Sequence, residues 1–291
     1  MIRPLLHRAP RRLAALLALA TLSPAAFALM GGHADADGAF AAVVAIGTAA
    51  TGRCTASRIG QRALLTAAHC VTNPATGAPL YGPDRPLLLD AGCDGRALPA
   101  GVREVLPAPG WRAGMDRLLA YRADRLAAQR AASGAPDAAL PASRLRAGVQ
   151  FSARFPDIAL VLLAEPPAGI PTLPLALETP APGGRVTLVG CGCTGLTGAA
   201  PGSTPAGRRW GESRVLRVDS PNLYTQAAQM GAGAPSLCPG DSGGPVLEGG
   251  RIVAVHGVVW GLNARQGARS NMAAHLKSVG DWDGWTRAME P

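Results

Sequence analysis

The sequence predicts an all-β protein, a barrel or sandwich of short strands, and three observations carry that expectation. Short apolar runs recur at residues 41–46, 63–68, 87–89, 158–163, 185–189 and 252–260. Runs of four to eight residues bounded by turn residues read as strands. Gly (37) and Pro (26) are abundant among the 291 residues, which favours many turns over long helices. A Pro-rich stretch at 166–183 divides the chain into two strand-bearing halves, about 29–165 and 183–291, and reads as the linker between them. Two segments depart from the pattern. Between Met115 and Ala131, Leu118, Leu119, Leu126 and Ala127 fall near helical spacing among charged residues, and a loose Ala/Pro/Ser tract follows to Gly148. A short closing helix is expected at 281–287.

The first 28 residues read as an export signal. Arg3, Arg8, Arg11 and Arg12 precede an apolar run at 13–22, and Ala26-Phe27-Ala28 ends in a small-x-small cleavage pattern. Ten apolar residues are too few to span a bilayer, so no stable membrane anchor is expected. The mature chain would be secreted or periplasmic. Removing the four signal arginines lowers the net charge of +9 to about +5. The remaining cations are scattered, without the basic face and interleaved aromatics of a nucleic-acid surface. Six cysteines, all beyond the signal, favour three disulfides over a metal site in an exported chain. The spacing of Cys191 and Cys193 does not suit zinc, and no loop offers a carboxylate cage for calcium. No cofactor is expected.

The chemistry is concentrated at Gly240-Asp241-Ser242-Gly243-Gly244-Pro245. A serine hydroxyl becomes a nucleophile when a base takes its proton and nearby donors hold the developing oxyanion. Gly240 lets the backbone turn so that its own N–H and that of Ser242 point at one spot. The base should be a histidine, whose pKa lies near working pH. His7 leaves with the signal, His33 sits beside the new N-terminus, and His256 and His275 stand alone as structural residues. His69 is the candidate, among small residues in Thr66-Ala67-Ala68-His69-Cys70.

These two motifs, in this order, resemble the trypsin/chymotrypsin family of serine endopeptidases, over a span from about Leu29 to the C-terminus. The resemblance implies two six-stranded antiparallel β-barrels with the active site between them. It implies a third catalytic residue, Asp157 in Phe155-Pro156-Asp157-Ile158-Ala159-Leu160, to orient His69. It implies a bond between Cys54 and Cys70. It also implies an ion pair between a new α-amino group, here Leu29 of Leu29-Met30-Gly31-Gly32, and Asp241. Signal removal would then itself create the active N-terminus.

Several positions depart from the family pattern. Ser236, at the base of the specificity pocket, is not the carboxylate that holds a substrate Arg or Lys. The pocket strand reads Val259-Trp260-Gly261, so Val259 replaces a serine that hydrogen-bonds near the catalytic Asp, and another group must serve Asp157. Asn271 stands where a glycine usually keeps the pocket open. Cys238 lacks its usual partner. The resemblance places the loop carrying Cys193 beside the serine loop, which implies Cys193–Cys238 and then Cys93–Cys191. Of the fifteen pairings that six cysteines allow, only Cys54–Cys70 is implied directly, and the pairing of the other four stays open. His69 and Asp157 are 88 residues apart, with the excess in an insertion near 113–148 that is either a solvated loop or a lid or exosite.

The expected function is hydrolysis of peptide bonds through an acyl-enzyme, in a monomer whose partners are protein or peptide substrates and protein inhibitors. A catalytically inactive binding protein is the alternative, although such chains usually lose a triad residue or the oxyanion glycine. An esterase more often places its serine before the Asp and His.

Overall fold

In the computed structural model the described residues are 29–48, 52–135, 139, 149–193, 207–227, 234–260 and 270–290. The signal segment, Gly261 and the Trp260 side chain lie outside them, as does most of the tract from 136 to 148. The chain begins with β1 (His33–Ala34) and continues through β2 (Val43–Thr48), β3 (Gly52–Arg58), β4 (Ala63–Thr66) and a one-turn helix α1 (Ala68–Val71). Next come β5 (Leu87–Asp90), β6 (Leu98–Ala100), β7 (Val102–Pro107) and helix α2 (Pro109–Ser133). The turn α3 (Val149–Ser152) leads through Asp157 into β8 (Ala159–Leu163). The second half holds β9 (Arg185–Gly190), β10 (Arg209–Val218), β11 (Asn222–Thr225), β12 (Pro245–Glu248), β13 (Arg251–Trp260) and β14 (Ser270–His275). A 3-10 turn (Leu276–Val279) and helix α4 (Trp282–Met289) close it.

The expected all-β fold of two barrels is present. Strands β9 to β14 form a closed six-membered ring, because β10 pairs with both β11 and β9. The first sheet runs β6-β5-β2-β3-β4-β8-β7. Gly101 alone separates β6 from β7, so that sheet nearly closes through one bent strand. Every strand pair is antiparallel. The fully buried runs Ala-Leu-Leu-Thr of β4 and Ala-Leu-Val-Leu-Leu of β8 pair within the first sheet, between β3 and β7. That pairing fixes the positions of the two residues just outside it, His69 and Asp157.

The N-terminal segment precedes the first barrel in sequence but lies on the second. β1 pairs with β10, Arg208 bridges Asp35 at 2.7 Å, and Arg209 donates to the Gly32 carbonyl at 2.6 Å. The Pro-rich connection is docked against both barrels rather than loose: Leu173 donates to Arg58, and Ala176 and Pro174 bond Ile252. The helical expectation after Met115 is met by a longer helix, α2, which starts at Pro109 and stops at a left-handed Gly134. Ala, Leu and Arg make it a good helix intrinsically. Only its first half is anchored, through Trp111, Gly114, Met115 and Arg122. In α4 the Asp281 side chain caps the Gly284 N–H and Trp285 is buried.

Candidate active site

Asp157 precedes the buried strand β8 and is itself 1 % exposed. Its two oxygens grip the α1 turn: Oδ1 accepts the His69 backbone N–H at 2.9 Å and Oδ2 faces His69 Nδ1 at 2.7 Å. Backbone and ring are held together, which fixes the ring plane and leaves Nε2 free of Asp157, 3.7 Å from Cys70 Sγ. Burial alone would push the His69 pKa down, but the Asp157 charge and hydrogen bond outweigh it and raise it above the usual value. Burial likewise works against ionised Asp157, and the His69 charge and hydrogen bonds, with one from Ser152, overcome it and lower its pKa.

Ser242 lies in the turn between Gly240 and β12. Gly240 has φ +101°, and a Cβ there would fall 2.7 Å from the Gly192 Cα, so only glycine fits. Gly243 is equally constrained, with φ +87° and Thr55 and Thr66 against its absent Cβ. The turn is pinned from behind by the fully buried His256, whose carbonyl accepts from Gly243 and whose N–H donates to Gly244. Burial pushes the His256 pKa down to about 3, so its ring is neutral at working pH. Among the described residues neither the Gly240 nor the Ser242 backbone N–H has an acceptor. Two free donors in one turn are what an incoming oxyanion needs.

The serine loop and the histidine turn meet closely. Thr55, on β3, donates its N–H to the Ser242 carbonyl at 2.7 Å, and Cys70 Sγ lies 3.6 Å from the same oxygen. The Thr55 hydroxyl donates to the Gly240 carbonyl at 2.7 Å and accepts the Cys191 N–H at 3.0 Å. Thr55 thus ties the first barrel to the oxyanion turn of the second. Nothing in its sequence context beyond adjacency to Cys54 marks this role. The Ser242 hydroxyl donates to the Gly257 carbonyl at 3.0 Å.

Three disulfides brace the site: Cys54–Cys70 beside His69, Cys193–Cys238 beside the serine loop, and Cys93–Cys191 between the barrels. Cys54, His69 and Cys70 place their ligand atoms close enough to suggest a metal group. Both sulfurs are spent in a disulfide and cannot serve as thiolates.

Asp241 is wholly buried beneath the serine. Its oxygens accept the Gly192 N–H and the Cys238 N–H, each at 2.8 Å, and the Leu29 backbone N–H is a third donor. Burial still dominates and pushes its pKa up to about 7. A carboxylate in this setting calls for a cation, and Leu29, also fully buried, brings the chain's N-terminal segment to it.

The structure describes two positions around the pocket. A Cβ on Gly257 would lie 3.7 Å from Asp157 Oδ2. Among the described side-chain positions of β13, the one that faces the carboxylate is therefore Gly257, while the Val259 side chain lies outside the described residues. The strand bulges between His256 and Val258, which breaks a simple letter match along it. The Asn271 side chain does not offer itself to a ligand. Its amide nitrogen donates to Thr225 Oγ1, Gln226 O and Pro235 O, and its oxygen accepts the Leu237 N–H, so it braces the segment that carries Ser236. Ser236 is 2 % exposed and pairs with Met30 through its backbone.

A double barrel with a buried Asp–His pair and a glycine-framed serine defines a hydrolase of the two-barrel class. The family model of the trypsin-like peptidase domain matches residues 50–255, and the chain belongs to that family. A comparison with curated proteins finds no match to this chain. Three disulfides fit a compartment outside the reducing cytosol. Among the described residues no helix is long and apolar enough to cross a membrane.

Proposed function

We propose that the chain is an active serine endopeptidase, exported and then released from residues 1–28, that works through an acyl-enzyme. Ser242 attacks the scissile carbonyl as His69 takes its proton. Asp157 holds the His69 tautomer and stabilises the imidazolium. The Gly240 and Ser242 N–H groups bind the tetrahedral oxyanion, and His69 then protonates the leaving amine. Water repeats the sequence to free the acid. The observation that carries this reading is the double grip of Asp157 on His69, at 2.9 and 2.7 Å, beside a serine turn with two donors free.

In this reading Ser236 makes the pocket neutral, so Arg and Lys side chains find no counter-charge there. Cleavage of a peptide library tests both points. Wild type should cut after neutral residues and Ser242→Ala should not cut at all. A profile dominated by Arg or Lys would remove the neutral-pocket assignment.

A further inference from the structure

Asp157 Oδ2 has a second donor, and it does not come from the strand that faces it. Ser152, on α3, gives its hydroxyl to Oδ2 at 3.0 Å and is 4 % exposed. The facing strand offers no side chain because position 257 is glycine. We propose that Ser152 is a positioning residue for the His69–Asp157 pair, and that the insertion between the histidine and the aspartate exists partly to deliver it.

The surroundings are built around that contact. Asn222, on β11 of the second barrel, donates its amide to the Ser152 and Ala153 carbonyls at 3.3 and 3.1 Å. Phe151 meets Trp111 of α2 edge-on with ring centroids 4.7 Å apart, and Phe155 lies 4.7 Å from Phe151. Gly110 and Gly114, one turn apart on α2, lie flush against Pro156 and Phe155. A Cβ at either would come within 3 Å of those rings. The anchored first half of α2 therefore packs on the two residues before Asp157, and α3 supplies the hydroxyl. This gives the insertion a third role, neither solvated loop nor lid: a buttress for the carboxylate.

Without Ser152, a buried carboxylate oxygen loses a donor and more of its charge falls on His69. The His69 imidazolium is then better stabilised. Among the described residues His69 is the titratable group that acts on Asp157, and Asp157 the one that acts on His69. The inference rests on the endopeptidase reading for its activity readout only.

The test compares wild type, Ser152→Ala and Ser152→Ala with Gly257→Ser, measuring kcat, KM and the acid limb of kcat/KM. A Cβ at 257 makes only ordinary contacts, 3.5 Å from Met272 O and 3.7 Å from Asp157 Oδ2, so a serine there fits and points its hydroxyl at the carboxylate. Ser152→Ala should lower kcat by about tenfold to a hundredfold with KM little changed, because a loosened Asp157 no longer fixes the His69 ring and that loss outweighs the better-stabilised imidazolium. It should also move the acid limb to higher pH, and Gly257→Ser should restore both. Wild-type kcat with an unmoved limb in Ser152→Ala would overturn the proposal, as would a loss of kcat that Gly257→Ser does not recover. If Ser152→Ala does not fold, the double variant decides alone: near wild-type turnover supports the proposal and less than a tenth of it contradicts it. Should wild type prove inactive, the endopeptidase reading fails. The His69 pKa, followed by NMR in the same variants, still tests Ser152: a rise in Ser152→Ala supports it and an unchanged value overturns it.

Discussion

The Thr55 hydroxyl, on the first barrel, donates to the Gly240 carbonyl, on the second, across 2.7 Å. The same oxygen accepts the Cys191 N–H, so one buried side chain orients the peptide that precedes Asp241 and Ser242. Replacing it with valine keeps the shape but strands a carbonyl and an N–H, at about 1–3 kcal/mol for each buried group left unpaired. Thr55→Val should therefore lower Tm and reduce kcat, while Thr55→Ser should keep most of both. Thermal unfolding with steady-state kinetics on the two variants checks this. Equal kinetics for Thr55→Val and wild type would show that the oxyanion turn holds itself.

His69 acts as a base only when neutral, and its pKa is raised above 6.5 by Asp157. Activity should thus fall as pH drops through a value above 6.5. In Asp157→Asn the charge that raised it is gone and burial remains, so the limb should move to lower pH. Turnover should fall on the order of 10⁴-fold. A pH–rate profile of the two proteins reports both effects.

Gly240→Ala places a side chain at φ +101° against Gly192. The turn must distort, and the Gly240 N–H leaves its aim. The expected loss in kcat is about 10²- to 10³-fold, the size seen when one oxyanion donor is removed. Binding of a ground-state peptide, followed by calorimetry on a Ser242→Ala background, should change far less.

Asp241 links folding to the N-terminus. While residues precede Leu29, Asp241 has only neutral donors, and its pKa is raised from 3.8 to about 7. A raised acid contributes stability that is full below about 3.8 and lost as pH climbs through about 7. Asp241→Asn should therefore stabilise the extended form increasingly as pH rises through that window. In a form beginning at Leu29 the ammonium pairs with the carboxylate, and Asp241→Asn should destabilise it at pH 7 and abolish most activity. Tm measured against pH for both forms checks the sign. N-terminal sequencing of exported, active protein should read Leu29 first, and another start would contradict this coupling.

Much of this site was legible because its chemistry is local in sequence. His69 and Ser242 sit in short motifs that need small residues on both sides, and Asp157 is flagged by the apolar strand it precedes. Thr55 and Ser152 were not legible. Each acts through a single hydroxyl, Thr55 across 185 residues by tertiary packing and Ser152 across 5 by the turn that follows α3, and neither spacing nor neighbours distinguish them from other threonines and serines. That Gly257 is the β13 position beside Asp157 has a geometric reason the letters do not show. The strand is irregular between His256 and Val258, so inward-facing positions do not follow simple alternation there. The bracing role of Asn271 was not legible either: a polar residue in place of a glycine says nothing of the bonds its amide makes to Leu237, Pro235, Gln226 and Thr225. The β-rich fold was readable from turn frequency, while the docking of α2 onto Phe155 and Pro156 depends on two glycines whose purpose shows only in three dimensions.

The central claim is that Ser242 is a nucleophile activated by His69. Labelling with a fluorophosphonate, followed by peptide mapping, tests it most directly. Wild type should take up one equivalent on Ser242, His69→Ala should react far more slowly, and Ser242→Ala should not react. A folded wild-type protein that stays unlabelled, or a label on any other residue, would contradict it.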